Sequence, residues 1–126
     1  MSYLSITAAT PISPDASLNE HNVKVVFDFK GNALYFSRSR IPFHRAKGNV
    51  DFYKHLGIYG YRRKALLNFV KWGPSPLEQA EQLEQLRALE NGMKIRVIVS
   101  EVDSIGVDTP EDATEVERLI LSRRTE

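Results

Sequence analysis

HLGIYGYRRKALLNFVKWGPSPLEQAEQLEQLR, residues 55–87, reads as a strand, a helix, a sharp break and a second helix. In the strand, alternation predicts Leu56, Ile58 and Gly60 on one face, with His55, Gly57, Tyr59 and Tyr61 on the other. A histidine and a tyrosine then flank a glycine on one surface. Glycine inside a strand weakens it and marks places where a ligand or another backbone approaches closely. Two readings stand open: an aromatic face half-buried against a helix, or a binding surface carrying His55 and Tyr59.

The second helix has a clear start. Ser75 suits the cap, Pro76 the first helical position, and Glu78 the return half of a capping box; Asn91-Gly92 is a matching stop. At about 100° per residue, Leu77, Ala80, Leu83 and Ala88 form one apolar arc, and Glu84 falls inside it. Glu78, Glu81, Gln82 and Gln85 lie away from its middle. Ala80 and Ala88, one turn either side of Glu84, leave space above the carboxylate, and a carboxylate among apolar neighbours needs a partner. That partner is either Arg87 on the same helix or a ligand. Glu84 is therefore a candidate site residue, with Gln85 beside it.

Upstream, Arg38, Arg40, Arg45 and Lys47 crowd into RSRIPFHRAKG, which Pro42 and Gly48 make a loop. Such a cluster is either a solvated basic loop or a binding site for carboxylate or phosphate, which guanidinium matches bidentately. Its aromatic interleaving is thin and the net charge is only +1, so nucleic acid is not an expected partner. Before it, VKVVFDF and ALYFSR flank Lys30-Gly31-Asn32 as a hairpin, with Val23, Val25, Phe27 and Phe29 on one face and Lys24, Val26 and Asp28 on the other. Residues 3–10 alternate weakly as a strand with nothing before them to pair with, and residues 16–18 suit a turn of helix.

Downstream, KIRVIV is a short strand, and Thr109, Pro110 and Asp112 announce a last helix with Val116, Leu119 and Ile120 on its apolar side. Asp108 sits just before that cap at the end of a strand-like run. It is either a capping residue or a metal ligand, since ligands gather at strand ends in α/β folds and Mg²⁺ takes one or two such carboxylates.

Composition sets the outer bounds. The 126 residues, 42% hydrophobic and 26% charged, fit one globular domain over residues 1–126. Cysteine is absent, which removes disulfides and thiol chemistry. No apolar run is long enough to span a membrane, and MSYLSITAATPIS lacks the pattern of a signal peptide, so a cytoplasmic location is expected. GxGxxG, Walker A, HExxH and GxSxG motifs do not occur.

Four blocks, ALYFSRSRIP, HLGIYGYRR, PSPLEQAEQLEQLRALENG and SIGVDTPED, taken in order, resemble the C-terminal half of the 3-deoxy-manno-octulosonate cytidylyltransferases, the CMP-Kdo synthetases. The likeness covers nearly the whole chain. It implies an α/β fold: the C-terminal half of a three-layer αβα nucleotide-diphospho-sugar transferase-like architecture with a mixed sheet, incomplete without its N-terminal half. It also implies a reaction, attack of the Kdo 2-hydroxyl on the α-phosphorus of CTP with release of pyrophosphate, assisted by Mg²⁺. By the same resemblance Arg38 and Arg45 would neutralise the sugar carboxylate, His55 and Tyr59 would line its site, Glu84 and Gln85 would hold ring hydroxyls, and Asp108 would be a Mg²⁺ ligand. Phe43 and His44 depart from the Trp-Asp or proline common in that loop. The arginine-rich PAR...STRLPGKPL loop and the GDEP segment of the family's nucleotide-binding half are absent. The expectation is a chain inactive by itself, needing a homodimer or an N-terminal half in trans, or else a non-catalytic module that binds the acid sugar or dimerises.

Overall fold

In the computed structural model, residues 4–101 are described, together with positions 114 and 118. Five strands form one mixed sheet in the order β3-β2-β4-β1-β5: β1 (Leu4–Ile12), β2 (Lys24–Phe27), β3 (Ala33–Ser37), β4 (Phe52–Tyr61) and β5 (Lys94–Val99). Three short helices, α1 (Arg63–Phe69), α2 (Pro76–Glu81) and α3 (Gln85–Glu90), connect β4 to β5. This is the α/β class with a mixed sheet that the resemblance implies. Thr114 and Arg118 are helical, in agreement with a last helix there.

The first strand forms where the weak alternation placed it, over Leu4–Ile12. With nothing before it in the chain, β1 pairs with later segments: it lies between β4, to which it runs antiparallel, and β5, to which it runs parallel. Ser5, Thr7 and Ala9 share its helix-facing side with Ile95 and Val97 of β5, and all five are buried. Small side chains there leave room for the larger ones of β4. The core they join holds Val25, Phe36, Ala65, Phe69, Leu83, Leu86, Ala88 and Met93.

The hairpin forms where expected, but Phe29 sits fully exposed at its tip and does not share the face of Val25 and Phe27. Asp28 explains this: its carboxylate accepts from the backbone N–H of Lys30 and Asn32, both at 2.9 Å, closing the turn one residue early. Gly31, at φ 87°, completes the turn, and its carbonyl accepts from Val97 N at 2.7 Å, so the tip reaches β5. Lys24, on the face opposite Val25, is fully buried. Its ammonium donates to the carbonyls of Asn19 (2.8 Å) and Arg38 (2.6 Å). Burial, then the nearby Arg38 charge, lowers its pKa.

The second helix is broken in two. Ser75 N donates to Glu78 Oε1 at 2.9 Å, as the capping box requires, but Gln82 adopts the left-handed conformation (φ 58°, ψ 47°) and ends α2. The break changes which apolar residues share a face. On one straight helix at about 100° per residue, Leu77 and Ala88 would lie within about 20° of each other, on one face. The break separates them: Leu83, Leu86 and Ala88 are buried in the core, while Leu77 stays 42% exposed. The arc assigned to Leu77, Ala80, Leu83 and Ala88 is thus not the buried face, and Ala80 and Glu84 are both exposed. Arg87 pairs with Glu78 and not with Glu84: two guanidinium nitrogens reach its two carboxylate oxygens at 2.9 and 2.6 Å, tying α3 back to the start of α2.

Candidate functional site

The alternation of β4 survives an irregularity. Thr7 of β1 pairs with Tyr59, but Ala8 pairs with Leu56, so Gly57 and Ile58 form a two-residue bulge. Because the insertion is even, His55, Tyr59 and Tyr61 remain on one side of the sheet. They form an aromatic ladder: His55 and Tyr59 rings lie 5.4 Å apart, Tyr59 and Tyr61 stack at 5.6 Å, and Tyr61 meets Phe69 of α1 at 6.2 Å. Gly57 itself is exposed, and a methyl group added there would meet no atom within 4 Å. Within this chain the glycine serves the bulge and not a close packing contact.

The break between α2 and α3 delivers the other wall. Glu84 precedes the first turn of α3 and Gln85 opens it, and with Tyr59, Tyr61 and Phe69 they line a pocket of about 230 Å³. His55 lies behind Gln85, with Nδ1 3.5 Å from the Gln85 amide nitrogen. Four of the six predicted sugar-site residues, His55, Tyr59, Glu84 and Gln85, are therefore gathered in one place. Glu84 is the exposed rim of that pocket, not a carboxylate sunk among alanines.

Burial alone drives the His55 pKa down to about 4, so the ring is neutral near neutral pH. Burial, reinforced by Tyr61 and the Glu84 carboxylate, raises the Tyr59 phenol, and burial with Glu84 raises Tyr61. The wall thus offers neutral aromatic groups and the rim carries the charge.

The two arginines lie elsewhere. Arg38 donates Nε to the Glu81 carbonyl (2.9 Å) and a terminal nitrogen to the Gln82 carbonyl (3.3 Å), while its backbone N–H goes to Glu81 Oε1 (2.9 Å). It therefore holds the end of α2, where carbonyls lack helical partners. Burial pushes the Glu81 carboxyl up, but hydrogen bonds from Ser37, Arg38 N and Tyr35 outweigh it and bring the pKa below the usual carboxylate value. Arg45 is exposed in the loop and does not line the pocket. Its neighbour Arg40 stacks 4.7 Å over Phe52, whose side chain lies on the opposite side of β4 from His55. Asp108 falls outside the described residues. Among the described residues, no three His, Cys, Asp or Glu side chains cluster as a metal site would require.

Sequence reasoning missed Thr7 and Phe69 and left Tyr61 outside the site. Thr7 Oγ1 lies 2.9 Å from His55 Nε2, across 48 residues of chain. A threonine in a short alternating strand gives no local sign of such a partner. Tyr61 was within reach of the alternation argument, because it shares the His55 face.

The family described as Cytidylyltransferase matches residues 1–95 of this chain. Among curated relatives, the 3-deoxy-manno-octulosonate cytidylyltransferase of Thermodesulfovibrio yellowstonii is 54% identical over 112 residues, covering 84% of this chain and 44% of the relative. That of Acidobacterium capsulatum is 50% identical over 119 residues, covering 94% and 49%. The 8-amino-3,8-dideoxy-manno-octulosonate cytidylyltransferase of Shewanella pealeana is 54% identical over 107 residues, covering 84% and 44%. A solved structure of CMP:2-keto-3-deoxy-manno-octonic acid synthetase complexed with CTP superposes with a TM-score of 0.84 at 39% identity, over 94% of this chain and 49% of that one. The chain spans about half the length of the relatives it matches.

Proposed function

We propose, since this chain belongs to the cytidylyltransferase family, that it supplies the sugar-side half of a cytoplasmic enzyme that transfers CMP from CTP to 3-deoxy-manno-octulosonate. In that reaction the sugar 2-hydroxyl oxygen forms a bond to the α-phosphorus, the bond from that phosphorus to pyrophosphate breaks, and the hydroxyl proton leaves to solvent. The observation that carries this reading is the pocket of Tyr59, Tyr61, Phe69, Glu84 and Gln85 backed by His55. It is polyol-sized, partly aromatic, and carries carboxylate and amide groups able to hold hydroxyls.

In this reading Glu84 and Gln85 hold ring hydroxyls and the Tyr59 ring packs against the sugar. Arg45, exposed and near the arginine loop, is the proposed partner for the acid carboxylate. Arg38 acts through the α2–α3 turn, since its guanidinium is already engaged with backbone carbonyls. Mg²⁺, if held through Asp108, supplies charge neutralisation at the phosphates. The described residues include no set of ligands for it. The nucleotide-binding half of that enzyme lies outside these 126 residues, in the same polypeptide or in a separate chain, and the assembly includes a homodimer.

The test is CTP- and Kdo-dependent pyrophosphate release by this chain alone and mixed with a separately made N-terminal half from a relative. Release only in the mixture is expected, and Asp108→Ala is expected to abolish it. Absence of release from the mixture, with both parts folded, overturns the half-enzyme reading. One observation favours a second reading, a non-catalytic binding module: the whole pocket is built within this chain. Saturable Kdo binding by calorimetry without CTP, combined with no turnover in the mixture, selects it.

A further inference from the structure

We propose that Thr7 sets the hydrogen-bond polarity of the pocket: its hydroxyl, committed to the Ile58 carbonyl, fixes His55 as the Nε2–H tautomer, and the bare Nδ1 turns the Gln85 amide so that Oε1 is left for the ligand. The argument is a count of protons. Thr7 Oγ1 has three neighbours: the carbonyls of Ile58 at 2.7 Å and Leu56 at 3.2 Å, and His55 Nε2 at 2.9 Å. A hydroxyl has one proton, and a carbonyl can only accept. The shortest contact takes that proton, so Oγ1 meets the imidazole as an acceptor and Nε2 must carry the hydrogen.

The bulge makes this arrangement necessary. With Gly57 and Ile58 inserted opposite the Thr7/Ala8 step, the carbonyls around it leave the regular ladder. Carbonyls shielded from water need a donor, and Thr7, 2% exposed, supplies one to the part-buried Ile58 carbonyl. The next link follows from the first. A neutral Nε2–H ring has a lone pair at Nδ1, and the group facing it is the Gln85 side-chain nitrogen at 3.5 Å. An amide turned so that NH₂ meets the ring holds its oxygen away from it, in the pocket that Gln85 and Glu84 both line. The Gln85 oxygen and the Glu84 carboxylate, both lining the pocket, then accept and do not donate, which selects a ligand bearing donors: hydroxyls, or a hydroxyl and an ammonium. Thr7 is thus a positioning residue, acting on the ligand through His55 and Gln85. Only this last step rests on reading the pocket as the sugar site.

The test separates the relay from that reading. In the full chain carrying His21→Gln and His44→Gln, His55 is the one imidazole left of three, and the ¹⁵N shifts of its ring report the tautomer directly. The expected result is the Nε2–H form, retained in Thr7→Ser and lost to a tautomer mixture in Thr7→Val. An Nδ1–H ring in the parent, or an unchanged ring in Thr7→Val, overturns the relay. If Thr7→Val fails to fold, Gln85→Glu decides: a carboxylate facing Nδ1 is expected to raise the protonation midpoint of the ring by about one pH unit or more, and an unmoved midpoint overturns the proposal. Kdo titrations on the same proteins test the final step. Thr7→Val is expected to bind about tenfold more weakly and Thr7→Ser within about twofold of the parent, the loss of one buried hydrogen bond. Equal binding by parent and Thr7→Val overturns the link to the ligand. A parent with the expected tautomer that binds no Kdo leaves the relay standing and removes the sugar reading.

Discussion

His55 is buried, neutral and held between Thr7 and Gln85, and its environment has a consequence for stability. The ring titrates at about 4 in the folded protein against an ordinary value of 6.5. Below pH 6.5 the unfolded chain takes up a proton that the folded chain refuses until about pH 4, so stability falls with pH across that window. The contribution is fully present above it and amounts to about 3 kcal/mol in all. Urea unfolding at neutral pH and just above pH 4 measures it. His55→Gln is expected to remove this part of the slope, and equal slopes in parent and variant would contradict the burial argument. Alternation along residues 55–61 placed His55, Tyr59 and Tyr61 on one face correctly, because the bulge adds an even number of residues. Nothing within that stretch reveals Thr7, whose contact depends on a strand 48 residues away.

At the scale of elements, the break at Gln82 shapes the site. It turns Leu83 and Leu86 inward and sets Glu84 and Gln85 over the aromatic ladder. Two devices hold the halves: the Glu78–Arg87 pair across α2 and α3, and the Arg38 guanidinium on the carbonyls that end α2. Arg38→Ala is expected to lower stability by about 1–2 kcal/mol, read as a lower urea midpoint. Arg38→Lys should recover little, because one ammonium does not reproduce a planar fork on two carbonyls. Full recovery by lysine would mean that charge, not geometry, is what the turn needs. The capping box and the Asn91-Gly92 stop were legible because they are local patterns. The break was not, because the run from Pro76 to Glu90 carries no glycine or proline at Gln82 to announce a left-handed residue there.

For the whole molecule, one side of the sheet is covered by the helices, and the other carries exposed apolar groups among the described residues. Ile6 and Ile98 are 39% and 53% exposed, and Ile58 in the bulge is 63% exposed. The chain by itself is therefore expected to associate, with a sedimentation mass above its 14.3 kDa that rises with concentration. Ile98→Glu should move the distribution toward monomer, and a monomer at every concentration in the parent would contradict the expectation. No helix among the described residues is long and apolar enough to cross a membrane.

The sequence by itself determined the hairpin, the strand at Lys94–Val99, the start and stop of the helical region, the family, and four of the residues that gather at the pocket. These rest on periodicity, capping and turn chemistry, which act over a few residues, or on blocks long enough to be distinctive. Only the tertiary structure decided that β1 is an interior strand, that Lys24 is buried, that Arg38 braces a helix end, and that Thr7 meets His55. Each of these depends on hydrogen-bond partners or packing space contributed by segments distant in the chain, so no local pattern encodes them.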